Sequence, residues 1–167
     1  SSRSEGDTSK LVQVLNAKTG YDVVDLNTKN IGHFDYEFNN RDDDFIPLFK
    51  NIVTNYKIIV FVTPIYWYTM SGLMKVFFDR ISDFLKLEKD YGRQLRNMQM
   101  ASVSSSNDSR FYNGFEMPFV NSAKYLGMQY KGHLHTWVEA ERVPQEVNNS
   151  IENFVEKQIL KELKKRI

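Results

Sequence analysis

The sequence predicts an α/β fold in which a parallel sheet lies between two layers of helices. Helical and strand-like patterns alternate along the 167 residues, which is typical of parallel sheets covered on both faces. Residues 57–63 form a nearly continuous apolar run, which indicates a strand buried on both sides. Apolar residues between Phe45 and Val53 recur at helical spacing. This length corresponds to about one domain, so we predict a single domain over residues 1–167.

The remaining elements follow from apolar spacing and from residues that begin or end helices. In chain order the sequence predicts a helix capped by Asp7 or Thr8, a strand over residues 21–26, a helix over 45–53, the strand over 57–63, a helix from Ser71 and Gly72, a strand over 98–104, a helix within 112–126, a strand within 128–139 and a helix over 147–163. Pro64 is expected to stop its strand, Gly127 to end its helix and Gly132 to form a bulge.

The polar residues at the start of the sequence bear on which strands the sheet contains. A parallel sheet whose chain opens with a polar loop and a helix lacks the strand that should lead into that loop. We therefore expect a first strand upstream of residue 1, outside this numbering. The alternative is a truncated protein of reduced stability.

Composition excludes several classes of site and partner. The net charge is +1, so neither nucleic acid nor an acidic membrane surface is expected as a partner. The chain has 0 cysteines, which excludes disulfides, thiolate metal sites and a cysteine nucleophile. No apolar stretch approaches the roughly 18 residues of a membrane span, and no signal peptide pattern is present. We predict a cytoplasmic protein.

Three loops follow the carboxyl ends of predicted strands, where ligands bind in open parallel sheets. The first, residues 1–8, offers a helix N-terminus with hydroxyl and basic groups, which favours a phosphate. Its candidate ligands are Ser1, Arg3, Ser4, Gly6 and Thr8. The Lys of a nucleoside-triphosphate loop is missing, and an ordinary helix cap is the competing interpretation.

The second and third loops suit a flat heterocycle. Tyr66, Trp67 and Tyr68 could frame a conjugated ring while backbone N–H groups bond its edge, although ordinary packing explains half-buried aromatic residues equally well. In residues 104–111, a run of serines and Asn107 could bond the polar edge of such a ring. Alone this third loop would be only a turn.

The histidines carry a weaker signal. His133 and His135 lie two positions apart in a strand pattern and so share a face. No carboxylate pattern completes a metal site, so we predict structural or surface roles for them and no bound metal.

Two motifs resemble a known family. Ser1-Ser2-Arg3-x-x-Gly6-Asp7-Thr8 is similar to the phosphate loop of the NAD(P)H-dependent FMN reductase family. Thr63-Pro64-Ile65-Tyr66, followed by the Lys-x-Phe-x-Asp-Arg pattern at residues 75–80, resembles its second signature. The resemblance implies a flavodoxin-like three-layer α/β/α sandwich, with strand order 2-1-3-4-5 and non-covalent FMN at the carboxyl edge. The FMN-binding residues it implies are Ser1, Arg3, Ser4, Gly6, Asp7, Thr8, Pro64, Ile65, Tyr66, Trp67, Tyr68, Ser104, Ser105 and Asn107.

The resemblance also implies an enzyme. Hydride would pass from NADPH or NADH through FMN to a small acceptor such as a quinone, a nitro or azo compound or a flavin. Members are often homodimers or homotetramers, with the helix that carries Asp79 and Arg80 close to the interface. Two alternatives are an electron carrier, which near-neutral charge disfavours, and a flavin-free interaction module. Two departures are Asp7, where the family often has Asn, and a third loop rich in Ser and Asn rather than Gly.

Overall fold

The computed structural model describes residues 4–160, and these form a four-stranded sheet with helices on both faces. The α/β class is therefore confirmed. The helices are α1 (Asp7–Thr19), α2 (Phe45–Asn55), α3 (Gly72–Leu87), α4 (Lys89–Gln94), α5 (Met117–Leu126) and α6 (Gln145–Phe154). The strands are β1 (Ile58–Tyr66), β2 (Thr69–Met70), β3 (Gln99–Ser106) and β4 (Gln129–Trp137).

The sheet order is β2-β1-β3-β4. Strands β1, β3 and β4 are parallel neighbours, and they take the last three positions of the predicted order 2-1-3-4-5. Because β1 is apolar on both faces, its residues feed two cores: Phe61 packs with α2, α3 and α5, whereas Val60 and Val62 pack against the core of α1 and α6. The three layers follow from this double burial.

The predicted strand over residues 21–26 is wrong. The segment has no strand structure and runs into a short 3-10 turn at Leu26–Thr28. Strand geometry needs a neighbour to accept and donate backbone hydrogen bonds, and the outer side of β1 faces a cavity of about 560 Å³ instead. Residues 20–26, α1 and β1 line this cavity. In the order 2-1-3-4-5 this is the position of the expected first strand.

The expectation that Pro64 stops its strand is also wrong. β1 continues through Pro64, which lies opposite Ser105 of β3, and ends at Tyr66, which pairs with Thr69 of β2. Proline is tolerated here because β1 is paired on one side only at this point, so the missing N–H breaks no ladder bond on the open side.

The glycine predictions are confirmed. Gly127 ends α5 in the left-handed conformation, with a φ of 72°. Gly132 has a φ of 106°, and the β3–β4 register shifts between Met100 and Ser102, as a bulge requires.

Two helix ends differ from expectation. The N-cap of α1 is Gly6, without a side-chain cap bond, so neither Asp7 nor Thr8 caps the helix. The C-terminal helix changes to π-helix at Val155–Ile159, and residues 161–163 of the predicted helix lie outside the described residues. Among the helices of residues 4–160, none is both long and apolar enough to cross a membrane.

Candidate active site

The sheet brings the first and third predicted loops together at its carboxyl edge. The side chain of Thr8, in the first turn of α1, hydrogen-bonds Ser105 Oγ at the end of β3 across 2.9 Å. Both residues are buried. The parallel register of β1 and β3 sets Pro64 beside Ser105, so the second loop begins at the same edge. Three loops distant in sequence therefore border one region.

The first loop presents an uncapped helix N-terminus. Gly6 has no side chain with which to bond the first N–H groups of α1, and these donors carry the positive end of the helix dipole. Asp7 does not oppose an anion there directly, because its carboxylate is 3.1 Å from Lys10 Nζ on the exposed side of the helix. Ser4 is exposed and lies 3.4 Å from Asn27 Nδ2. Ser1 and Arg3 lie outside the described residues.

The second loop is a tight β-hairpin, which the sequence did not predict. Ile65 and Tyr66 pair with Met70 and Thr69, leaving Trp67 and Tyr68 as a two-residue turn. Both have positive φ, 49° and 67°, as a type I′ turn requires. Such turns prefer Asn-Gly, so bulky residues hold this one under strain, a condition found mostly at functional sites. The Trp67 side chain is 91% exposed.

The third loop begins later than predicted, because β3 extends to Ser106. Consecutive strand residues face opposite sides, so Ser105 bonds Thr8 while Ser104 is turned to the other face and bonds two histidines. Asn107 is exposed at the start of the loop. Of the three residues predicted in this loop, Ser105 therefore contacts the first loop, whereas Ser104 lies on the opposite face of β3.

Two aromatic residues, Phe111 and Tyr112, follow the serine run, and Tyr112 contacts the hairpin. The ring of Tyr112 meets that of Tyr68 edge to face at 5.0 Å, and Phe111 is 41% exposed beside His133 and His135. Sequence reasoning missed both, since only their position just after the serine run could have indicated them. Together with Tyr66 and Trp67 they give the carboxyl edge an exposed aromatic border.

A ladder of serine and histidine side chains runs along one face of β3 and β4. Ser102 lies opposite His133 and Ser104 opposite His135. Burial, with the neighbouring His135, lowers the pKa of His133 to about 4, and burial also lowers the pKa of His135. Both imidazoles are therefore neutral at pH 7. The shared face is confirmed, and within the described residues no group of three potential ligands could hold a metal ion.

The Arg80 of the second signature has a structural role. It is fully buried, and its guanidinium bonds the carboxylates of Asp83 and Asp43 at 2.7 and 2.5 Å. It also donates to the backbone carbonyls of Gly32 and Asn40. These bonds tie α3 to the irregular segment before α2. Burial opposes ionisation of Asp43, but hydrogen bonds from Arg80 and from two backbone N–H groups hold its pKa below the usual value.

The residues at the carboxyl edge fit FMN. A phosphate can meet the uncapped N–H groups of α1, and the buried Thr8–Ser105 pair holds that helix start against β3. A flat ring system can lie along the exposed aromatic border, with Trp67 and Tyr68 on one side. Among the residues predicted to bind FMN, only Asp7 is negatively charged, and it already has a basic partner.

Comparison with known proteins identifies the family. The sequence matches the NADPH-dependent FMN reductase family over residues 1–140. The chain belongs to this family. It is 27% identical over 144 residues to YwqN of Bacillus subtilis (strain 168), a protein named as an NAD(P)H-dependent FMN-containing oxidoreductase, and the match covers 79% of this chain and 78% of that protein.

Solved structures agree on the fold. The Trp repressor binding protein of Bacillus subtilis superposes with a TM-score of 0.71 at 22% identity, covering 93% of each chain. An NADPH-quinone reductase from P. pentosaceus gives a TM-score of 0.61 at 15% identity, covering 93% of this chain and 90% of that chain. A flavodoxin-type, WrbA-like protein from Agrobacterium tumefaciens gives 0.58 at 15% identity, covering 95% and 91%.

The family confirms what the two motifs implied about the class of protein. The chain is an NAD(P)H-dependent FMN oxidoreductase with a flavodoxin-like fold, with FMN as cofactor and NAD(P)H as co-substrate. The roles of individual residues in binding FMN stay predictions.

Proposed function

We propose that the protein passes hydride from NADPH or NADH, through FMN held at the carboxyl edge of the sheet, to a small two-electron acceptor. A quinone, a nitro or azo compound, and a free flavin are the acceptor classes. The observation that carries the proposal is the uncapped start of α1, held against β3 by the Thr8–Ser105 bond, beside a strained and exposed aromatic hairpin. Bound FMN supplies the electron-transfer chemistry.

The side chains have separate tasks in this proposal. N–H groups at the start of α1 hold the phosphate, with the hydroxyls of Ser1, Ser4 and Thr8 and the charge of Arg3 beside them. The hairpin at Trp67 and Tyr68 borders the ring and leaves room for a nicotinamide or an acceptor to stack. Ser105 acts through Thr8, whose hydroxyl it positions.

We also propose which partners the protein has, and we keep the predictions of its oligomeric state and location. The partners are the nicotinamide and a small acceptor, without nucleic acid or a membrane, because the net charge is only +1. A homodimer or homotetramer in the cytoplasm stays a prediction from the family resemblance. Since Arg80 is buried within its own chain, other residues of α3 would have to supply any contact between subunits.

Fluorescence of Trp67 offers a direct test of binding. The chain has 2 tryptophans, so Trp137→Phe leaves Trp67 as the only reporter. We expect FMN to quench it with saturation, because the side chain is 91% exposed at the proposed site. Riboflavin, which lacks the phosphate, should bind at least tenfold more weakly if α1 holds that group. Equal affinities would overturn the phosphate assignment.

Two variants locate the phosphate more closely. Thr8→Ala combined with Arg3→Ala should weaken FMN binding but leave riboflavin binding unchanged. Thr54→Ala is the control, because this residue is exposed near the end of α2, which leads into the amino end of β1, opposite the carboxyl edge. Unchanged FMN affinity in the double variant would contradict the proposed loop.

Anaerobic reduction separates an enzyme from an electron carrier. NADPH or NADH should bleach the flavin absorbance, and an acceptor from one of the named classes should restore it. Bound flavin that neither nucleotide bleaches would favour the carrier. A protein that takes up no FMN would favour the flavin-free module.

A further inference from the structure

The backbone pairing of the aromatic hairpin stops before Pro64. Ile65 pairs with Met70, so the same antiparallel register sets the preceding residue, Pro64, opposite Ser71. Proline has no backbone N–H, and Pro64 therefore cannot donate a hydrogen bond to Ser71 across the hairpin. The pairing is limited to the two residue pairs nearest the turn. A hairpin this short needs further contacts to hold its place in the fold.

The side chain of Thr63 supplies a contact at the position where the backbone pairing stops. The N–H of Ser71 donates to Thr63 Oγ1 at 3.0 Å, and the two hydroxyl oxygens lie 3.3 Å apart. Thr63 is fully buried and Ser71 is nearly so. Because water has little access to this place, loss of the threonine hydroxyl would leave the Ser71 N–H without an acceptor, which is costly for a buried donor.

The same pair of residues connects the hairpin to α3. Ser71 is the N-cap of α3, and its side chain accepts a hydrogen bond from the Met74 N–H at 3.4 Å. Its carbonyl oxygen accepts from the Lys75 N–H at 2.9 Å. The end of β1, the returning strand of the hairpin and the first turn of α3 therefore meet at Thr63 and Ser71. The hydrogen bond between these two residues helps to fix the relative positions of the three elements.

The aromatic rings of the hairpin depend on this hydrogen bond. Trp67 and Tyr68 lie between Thr63 and Ser71 along the chain, in a turn where both have positive φ. Such strained conformations persist only where the surrounding structure over-determines them. The Trp67 side chain is 91% exposed, so its own packing does little to hold the turn. The bond at the base of the hairpin therefore contributes to keeping both rings at the carboxyl edge of the sheet.

We propose that Thr63 is a positioning residue of the flavin site. Its hydroxyl acts through Ser71 and the hairpin, and it holds the rings of Trp67 and Tyr68 where they border the flat ring system of FMN. This inference rests on the proposed function, in which the hairpin borders that ring system and α1 holds the phosphate. Loss of the Thr63 hydroxyl should therefore weaken binding of the ring system and leave the phosphate contacts unchanged.

Amide hydrogen exchange tests the hydrogen bond in the protein without cofactor. In the wild-type protein, the Ser71 N–H should exchange at least about tenfold more slowly than the N–H groups of the turn residues Trp67 and Tyr68. Thr63→Val keeps the shape of the side chain but removes the hydroxyl, and it should speed exchange at Ser71 by about tenfold or more. Equal rates at Ser71 and at the turn in the wild-type protein, or an unchanged rate at Ser71 in Thr63→Val, would overturn the proposal.

Flavin titration tests the effect on the site. Thr63→Val should weaken FMN and riboflavin binding by the same factor, about three- to tenfold, because both compounds contain the ring system. Thr63→Ser keeps the hydroxyl and should hold both affinities within about twofold of wild type. Thr136→Val is the matched control, since Thr136 is also fully buried but its hydroxyl donates to the Ser104 carbonyl oxygen at 2.7 Å, outside the hairpin. This control should lose stability without a change in either affinity.

The outcomes separate the two proposals. Wild-type affinities for both flavins in Thr63→Val would overturn the role of Thr63 alone. A loss of FMN affinity without a loss of riboflavin affinity would assign the effect to the phosphate and overturn that role as well. Equal losses of affinity in Thr63→Val and Thr136→Val, with equal falls in unfolding midpoint, would give the hydroxyl a structural role only and overturn the proposal. Failure of the wild-type protein to bind FMN would overturn the proposed function, and with it any role of Thr63 towards a flavin.

Discussion

At the scale of single residues, burial decides which charged and polar groups hold the fold. Arg80 and Arg93 both form ion pairs with an aspartate three positions away, so the sequence gives them the same local pattern. Only Arg80 is fully buried, with backbone carbonyls satisfying its remaining donors. The ion pair of Arg80 therefore affects the stability of the fold far more than the ion pair of Arg93 does.

We expect Arg80→Ala to lower the free energy of unfolding by about 3–5 kcal/mol, because it leaves Asp43 and Asp83 as buried charges without their partner. Arg93→Ala should change it little, since an exposed pair contributes almost nothing. Urea denaturation of the two variants measures both. Similar losses would mean that burial does not distinguish the two pairs.

His133 should make stability depend on pH. Its pKa is about 4 in the folded protein and about 6.5 when unfolded, so below pH 6.5 the unfolded chain binds more protons. The free energy of unfolding should therefore fall as the pH drops from 7 to 5, by up to about 2 kcal/mol from this group. His133→Gln should flatten this slope, whereas His33→Gln, at an exposed position, should leave it unchanged. A slope identical in all three proteins would contradict the assignment.

At the scale of elements, one bulge and one hairpin set the functional edge. The bulge at Gly132 keeps His133 and His135 on the serine face, because a strand shifted by one residue turns every side chain to the other side. The hairpin at Trp67 and Tyr68 presents its rings to solvent in a turn that suits neither residue. Both elements depend on backbone conformations that ordinary residues rarely adopt.

Gly132→Ala should destabilise the protein by about 1–3 kcal/mol, because a φ of 106° strains any residue with a Cβ. The change should also disturb the histidine signals in NMR spectra. Gly72→Ala is the control, since a Cβ there meets nothing within 4 Å and α3 begins at that residue. If both variants unfold at the same denaturant concentration, the bulge is not the constraint we infer.

Replacing the hairpin turn should separate stability from binding. Trp67→Asn with Tyr68→Gly supplies the preferred type I′ pair, and we expect a gain of about 1 kcal/mol in unfolding free energy as strain is relieved. FMN affinity should fall, because the aromatic border is lost. Denaturation and FMN titration measure the two effects, and a loss of stability with unchanged affinity would contradict the role given to the turn.

At the scale of the whole molecule, ligand binding should stabilise the fold by mass action. Free FMN at about 100 times its Kd should add about 2.7 kcal/mol to the free energy of unfolding, which corresponds to a rise of several degrees in Tm. Riboflavin at the same concentration should give a smaller rise, since it lacks the phosphate. Calorimetry with each compound measures the difference, and no rise with FMN would count against a site formed by the folded sheet.

The cavity beside β1 is also a feature of the whole molecule, because distant parts of the chain line it. It separates α1 and residues 20–26 from the outer side of β1, and Tyr21 contributes a buried hydroxyl without a partner among the described residues. The sequence pattern of residues 21–26 favours a strand, yet none forms. Local preference cannot create a strand where no neighbouring backbone accepts its hydrogen bonds.

The sequence by itself determined the α/β class, the helix boundaries near Phe45, Ser71 and Gly127, and the family motifs, because apolar periodicity and turn-forming residues act locally. Only the tertiary structure decided which polar residues meet. Ser104 and Ser105 are adjacent in sequence but face opposite sides of β3, so one joins the histidines and the other joins Thr8. Such pairings depend on strand register and on burial, and these arise from contacts between residues about 30 to 100 positions apart.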